Sequence, residues 1–223
     1  MGIYYKKQFG QSSTVGLWEI TETLDFLYKN ILLNEEEIKS FSYFKNELRK
    51  LHWLSYRNLL KEIISPKDYS HVVYDDNGKP FLSCKSHHLS VSHSGKFSAA
   101  IISNKYPVGI DIEKIHPRIE KLACKFLSEK ELSDIDKNNK TEMLQVYWGA
   151  KEALYKLYGM KELLFPENIF IKPFEYNNAG EIEGEINTKN FSKKYTLFYE
   201  RIENYMLVHV TDDELGVRLW RRS

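Results

Sequence analysis

Two acidic residues stand two positions apart in the segment VGIDIE, which covers residues 108–113 and reads as a buried strand. On a strand, side chains at i and i+2 point the same way, so Asp111 and Glu113 share one face and Ile110 and Ile112 are expected to face the core. Adjacent carboxylates repel unless a hard cation such as Mg²⁺ lies between them, with waters and phosphate oxygens as its further ligands. Taken alone, the pair also fits a solvated strand end, because charged residues favour the surface.

A third carboxylate, Glu152, lies on a predicted helix over residues 141–158. Lys151 precedes it and Lys156 follows at i+4, a pattern that is also typical of an ordinary salt-bridged helix face. Together with the strand acids, however, a helix-borne acid and a lysine supply what is needed to position a metal-bound diphosphate and neutralise its charge.

Hydroxyl and imidazole donors that suit phosphate oxygens close another predicted strand, at Ser92 and His93. Hydrolysis by a Ser–His pair is not supported, because adjacent strand residues face opposite sides and the chain has no Gly-x-Ser-x-Gly turn. His87 and His88 lack further ligands at a suitable spacing for zinc.

The predicted helix over residues 44–64 has a basic face. Its members are Lys45, Arg49, Lys50 and Arg57. This face suits either solvent or an anionic ligand, and the 32 Lys and Arg residues against 31 Asp and Glu leave a net charge of only +1. A polyanionic partner such as nucleic acid is therefore disfavoured, and a small phosphorylated molecule fits better.

A length of 223 residues, 42% of them hydrophobic, indicates a folded protein. We expect two lobes with a boundary near Asn104. Asn77 and Gly78, between short apolar runs, predict a hairpin turn. Cys84 and Cys124 have no paired spacing, and we find neither a signal-peptide pattern nor an apolar run of membrane-spanning length. These features favour a reduced, soluble, cytoplasmic protein.

Five motifs, taken in order, resemble one family, the 4′-phosphopantetheinyl transferases of the surfactin-synthetase-activating type. The motifs are GKP at 78–80, VSHS at 91–94, GIDIE at 109–113, FLS at 126–128 leading to Glu131, and WGAKEALYK at 148–156. The resemblance spans about residues 45–172, and the last two motifs together make it specific.

The resemblance implies an α+β fold of two similar lobes with pseudo-twofold symmetry, residues 1–104 and 105–223. Coenzyme A would be held in the cleft between them. The implied reaction moves 4′-phosphopantetheine from coenzyme A to a serine of an acyl or peptidyl carrier protein, requires Mg²⁺ and releases adenosine 3′,5′-bisphosphate. A monomer that needs neither nucleic acid nor a membrane is expected.

The resemblance also implies residue roles. Asp111, Glu113 and Glu152 would hold Mg²⁺, Lys156 would steady a phosphate oxygen, and Glu131 would take the proton of the carrier serine, with Glu152 or a metal-bound water as alternatives. The expected coenzyme A phosphate contacts are Lys45, Arg49, Lys50, Arg57, Lys79, Ser92, His93 and Lys156.

Two other classes of function remain as alternatives. A catalytically silent homologue would bind coenzyme A or carrier proteins, yet it should have lost one of the three carboxylates. A nucleic-acid-binding module built on the basic helix is the other. The identity of the carrier protein, from fatty-acid, polyketide or peptide synthesis, stays open.

Overall fold

The computed structural model describes residues 2–160 and 162–213. Its packing divides the chain into two compact units, the first ending at Tyr106 and the second starting at Pro107. Helix and strand are mixed in both, as the α+β prediction required. No helix in these described ranges is long and apolar enough to cross a membrane.

The first unit is built on an antiparallel sheet of four strands. The strands are β1 (Ile3–Phe9), β2 (Ser13–Glu19), β5 (His88–Ser94) and β6 (Phe97–Ser103), in the order β1-β2-β6-β5. A small hairpin of β3 (Val72–Tyr74) and β4 (Pro80–Leu82) is closed at Gly78, which has φ +81°. The turn predicted at Asn77 and Gly78 is thereby confirmed.

Three helices complete this unit: α1 (Leu24–Lys29), α2 (Glu35–Ser42) and α3 (Glu47–Ile63). Helix α3 begins at Asn46, whose side chain accepts a hydrogen bond from Arg49 N. It packs on β2 and β6, where Gly16 lets Leu59 come close to the sheet. A cluster of leucine, isoleucine and tryptophan side chains fills the space between helix and sheet.

The second unit has a five-stranded antiparallel sheet. Its strands are β7 (Val108–Lys114), β8 (Ile169–Ile171), β9 (Ala179–Asn187), β10 (Ser192–Ile202) and β11 (Tyr205–Thr211), in the order β7-β11-β10-β9-β8. The strand predicted around VGIDIE is therefore an edge strand of this sheet, paired only with β11 among the described strands.

The helices of the second unit are mostly short. They are α4 (Ala123–Phe126), α5 (Glu129–Ser133), α6 (Lys140–Tyr158) and α7 (Phe165–Asn168), with 3₁₀ turns at Pro117–Leu122 and Lys137–Asn139. The long helix α6 packs on β7 and β11 and ends at Gly159, which takes the left-handed conformation with φ 73°. A single helix therefore presents its side chains to the strand that carries the paired acids.

Candidate functional site

The acidic face of β7 lies against helix α6. A Cβ atom on Gly109 would come within 1.9 Å of the Ala153 carbonyl oxygen, so only glycine allows strand and helix to approach this closely. The same face carries Asp111, which is 3% exposed. Ile110 and Ile112 are buried, as expected, and Asp111 is buried as well, on the opposite face of the strand, where it packs toward the helix.

Asp111 and Lys156 form an ion pair across this contact. Lys156 Nζ lies 2.7 Å from Asp111 Oδ1 and donates a second hydrogen bond to the Ile110 carbonyl oxygen at 3.0 Å. Gly149, two turns earlier on α6, lets the helix approach the sheet beside the carboxylate, since a Cβ there would lie 2.7 Å from Cγ2 of Val208, the residue paired with Asp111. The fold therefore pairs the strand acid directly with the helix lysine, a contact that the sequence did not predict.

Glu152 lies between Gly149 and Lys156 on the helix and is half-buried. Its pKa is raised from the ordinary 4.5 to about 7, chiefly by burial and also by the negative charges of Asp111 and Glu113, while Lys156 opposes the rise. Glu152 therefore lies near enough to both strand acids to experience their negative charge.

This donor set fits a hard divalent cation by its chemistry, because it offers only carboxylate oxygens and a cation would offset the repulsion that adds to the effect of burial on the Glu152 pKa. In the conformation shown, no group of three His, Cys, Asp or Glu side chains within the described ranges is arranged to hold a metal ion. Asp111 is already neutralised by Lys156 in this arrangement.

Glu131 occupies a different place from the one expected of a proton acceptor. It caps helix α5, with Oε2 accepting from Ser128 N at 2.8 Å and from Ser128 Oγ at 2.9 Å. The same oxygen lies 2.9 Å from Lys151 Nζ, and Oε1 accepts from Ile171 N at 2.9 Å. With 3% of the residue exposed, both carboxylate oxygens are engaged inside the second unit.

The basic residues predicted on α3 divide into two kinds. Lys45 and Arg49 are exposed and Lys50 is half-buried, with the guanidinium of Arg49 over the Phe44 ring at 4.9 Å. These side chains are accessible to an anion.

Arg57, by contrast, is 1% exposed. Its guanidinium pairs with Glu37 at 3.0 Å, lies 3.3 Å from the Trp53 ring centroid and contacts the Tyr56 hydroxyl. The expectation that Arg57 contacts a coenzyme phosphate needs correction, because the guanidinium is used inside the first unit.

Ser92 and His93 close β5 as predicted, with Ser92 8% exposed and His93 exposed. The imidazole of His93 stacks on that of His52, with ring centroids 4.3 Å apart and 13° between planes. His52 is buried and donates from Nε2 to the Gly95 carbonyl oxygen at 2.8 Å. Burial lowers the pKa of His52, and its hydrogen bond to Gly95 partly opposes this effect.

Lys79 follows the hairpin turn of β3 and β4 and is half-buried. Burial lowers its pKa, and Asp75 partly offsets this effect. Of the expected donors in the first unit, Arg57 and Ser92 are buried and the others are exposed or half-buried.

Sequence reasoning missed Glu37, His52 and the inward role of Lys151. Each is a charged or polar residue whose partner lies far along the chain. The spacing of residues in the sequence therefore gave no indication that Glu37 or His52 has a buried partner. Lys151 was visible as a charge among the apolar positions Ala150, Ala153 and Leu154.

Comparison with known proteins matches residues 107–208 to the 4′-phosphopantetheinyl transferase superfamily. The chain is 35% identical over 97 residues to 4′-phosphopantetheinyl transferase Sfp of Bacillus subtilis, 42% of each chain. It is 32% identical over 117 residues to 4′-phosphopantetheinyl transferase AcpT of Escherichia coli O157:H7, covering 50% of this chain and 59% of the relative.

A third relative, 4′-phosphopantetheinyl transferase gsp of Aneurinibacillus migulanus, is 33% identical over 129 residues, which are 52% of this chain and 53% of that protein. The chain thus spans about half the length of the curated relatives it matches. The matched superfamily segment includes β7 and α6, which carry the acidic site.

Proposed function

Residues 107–208 belong to the 4′-phosphopantetheinyl transferase superfamily, and on that basis we propose that the chain transfers 4′-phosphopantetheine from coenzyme A to a serine of an acyl or peptidyl carrier protein. The transfer requires Mg²⁺ and releases adenosine 3′,5′-bisphosphate. The observation that carries the proposal is the acidic face of β7 closed against Glu152 and Lys156 of α6.

Asp111, Glu113 and Glu152 are the residues that hold the Mg²⁺ ion in this proposal. When bound, Mg²⁺ withdraws negative charge from the diphosphate and orients it for in-line attack. Asp111 is the anchor, because it is held rigidly by Lys156 and by the close contact of Gly109 with the helix.

Lys156 contributes positive charge next to the same site. Its side chain is 27% exposed, so the ammonium group can reach a phosphoryl oxygen without leaving the vicinity of Asp111. Charge on these oxygens grows in the transition state, which makes such a contact worth more there than in the ground state.

The first unit supplies the contacts to the coenzyme phosphates. The proposed donors are Lys45, Arg49, Lys50, Lys79, Ser92 and His93. The flat surface of His52 holds the His93 ring in one orientation, which lowers the entropy lost when a phosphate binds. In this proposal the chain acts as a monomer of two lobes, residues 1–104 and 105–223, on carrier proteins in the cytoplasm, without nucleic acid or a membrane.

The carrier serine must lose a proton as it attacks the β-phosphate. The sequence predicts Glu131 as the acceptor, with Glu152 as the alternative carboxylate. Of the two, Glu152 is the more exposed, and Glu131 already accepts four hydrogen bonds.

The direct test is to incubate the protein with coenzyme A, Mg²⁺ and an apo carrier protein and to measure the carrier by intact mass spectrometry. We expect the carrier to gain the mass of one phosphopantetheine. The Asp111→Ala variant should not produce this gain, whereas the control Glu183→Gln, which changes an exposed acid of β9 in the same unit, should produce it. Binding of coenzyme A without any mass gain on several carriers would instead indicate a silent homologue.

A further inference from the structure

A buried ion pair lies on the face of helix α6 that turns away from the acidic strand. Lys151 Nζ is fully inside the second unit, with its side chain 0% exposed and that of Glu131 4% exposed. Burial lowers the pKa of Lys151 and the Glu131 carboxylate opposes that effect. Such a pair is expensive to desolvate, and an apolar pair of similar volume is often as stable.

The pair satisfies every polar group it brings inside. Lys151 Nζ donates to Glu131 Oε2 at 2.9 Å, to the Ile169 carbonyl oxygen at 2.6 Å and to the Phe165 carbonyl oxygen at 3.2 Å. Those carbonyls belong to α7 and to its junction with β8. An ammonium group has three protons, and all three have an acceptor here.

Glu131 extends the connections to two further elements. Its capping bonds to Ser128 fix the start of α5, and its bond to Ile171 N fixes β8. The ion pair therefore joins four elements at one point: α5, α6, α7 and β8.

Helix geometry links this point to the acidic site. Consecutive helical residues are about 100° apart around the axis, so anchoring Lys151 in the interior sets the direction in which Glu152 projects. Lys156, four residues after Glu152, then lies on nearly the same face. A rotation of α6 by even a fraction of this angle would move both side chains relative to Asp111.

We propose that Lys151 and Glu131 are positioning residues that fix the rotation of helix α6 and thereby place Glu152 and Lys156 against Asp111. This inference rests on the proposed transferase function and deepens it, because it gives Glu131 a role other than proton acceptor. An apolar pair would fill the same space, but it would lack the directional bonds that set the helix rotation.

The test compares Lys151→Met, which replaces lysine by an unbranched apolar side chain one atom shorter, with Lys172→Met, which removes an exposed lysine paired with Glu183 in the same unit. Three quantities are measured: thermal unfolding, binding of Mn²⁺ to the protein alone by electron paramagnetic resonance, and the kcat and KM for coenzyme A. We expect Lys151→Met to weaken Mn²⁺ binding and lower kcat by about tenfold or more, as for other groups that orient metal ligands. The KM for coenzyme A should stay within about twofold, and Lys172→Met should match the parent protein.

Glu131→Gln and the double variant Glu131→Gln/Lys151→Met separate positioning from proton transfer. In the double variant no charge is left buried without its counter-charge, so folding should recover while the Mn²⁺ affinity and kcat stay low. If Lys151→Met does not fold, the double variant is measured in its place by the same criteria.

Several outcomes would overturn the proposal. The proposal is wrong if a folded Lys151 variant has an Mn²⁺ affinity and a kcat within about twofold of those of the parent protein. It is also wrong if every variant fails to fold, because the pair would then serve folding alone. Loss of kcat in Glu131→Gln only, with Mn²⁺ binding intact, would make Glu131 the base. A parent protein that transfers nothing would refute the transferase function, whereas the Mn²⁺ measurements would still decide the role of the pair.

Discussion

Replacing Arg57 by Met tests whether this residue belongs to the core or to the coenzyme site. The change leaves the Glu37 carboxylate, whose side chain is 7% exposed, without its main counter-charge, and it removes the cation stacked 3.3 Å from the Trp53 ring centroid. Breaking a buried pair in this way costs about 3–5 kcal/mol. His71, with Nδ1 2.9 Å from Glu37 Oε2, still hydrogen-bonds to this carboxylate, so we expect the lower end of this range, about 3 kcal/mol.

Thermal and urea unfolding measure this loss. For a chain of this size, it corresponds to a fall in Tm of about 6–12 °C. At a temperature where the variant is folded, the KM for coenzyme A should equal that of the parent protein. Arg49→Met is the matched control, because Arg49 lies on the same helix but is exposed. It should leave the Tm nearly unchanged and raise the KM for coenzyme A.

The reverse pattern would refute this reasoning. If Arg57→Met unfolded like the parent protein and bound coenzyme A weakly, the guanidinium would be a ligand contact. A second check is the double variant Glu37→Leu/Arg57→Met, which should recover most of the lost stability because no isolated charge then stays buried.

Three further predictions concern the site and its supports. Without divalent cations, the folded state holds a proton on Glu152 that the unfolded chain releases above pH 4.5. The free energy of unfolding should therefore fall by up to about 3 kcal/mol as pH rises from about 4.5 to about 7. Glu152→Gln should flatten this decline in urea titrations, and an unchanged dependence on pH would contradict the assigned pKa. Gly109→Ala should lower the Tm and abolish transfer, because its Cβ would meet the Ala153 carbonyl oxygen at 1.9 Å. Gly180→Ala should lower the Tm less, because its Cβ meets only the end of a tyrosine ring at 2.9 Å. Equal Tm values for the two variants would argue against the close contact at Gly109. His93→Ala should raise the KM for coenzyme A more than that for desphospho-coenzyme A, and an identical effect on both would remove the 3′-phosphate from its role.

Local patterns in the sequence were sufficient wherever the physical cause is local. The two-residue period of a strand puts Asp111 and Glu113 on one face, and the four-residue spacing of a helix puts Glu152 beside Lys156. The hairpin at Gly78 needs only a residue that accepts a positive φ, and the Ser128 cap of α5 needs only Glu131 three residues later. Each of these features follows from neighbours within four positions.

Only the tertiary structure decided which face of β7 meets the helix. Both faces of this strand are buried, so alternation could not distinguish them, and the choice follows from the close approach that Gly109 allows. The tertiary structure also decided the burial of Arg57 and Lys151, which the sequence pattern assigned to charged helix faces because other charged residues lie near them on the same helices. Their partners, Glu37 and Glu131, lie twenty positions away, and a buried charge becomes tolerable only when folding brings such a partner within hydrogen-bonding distance.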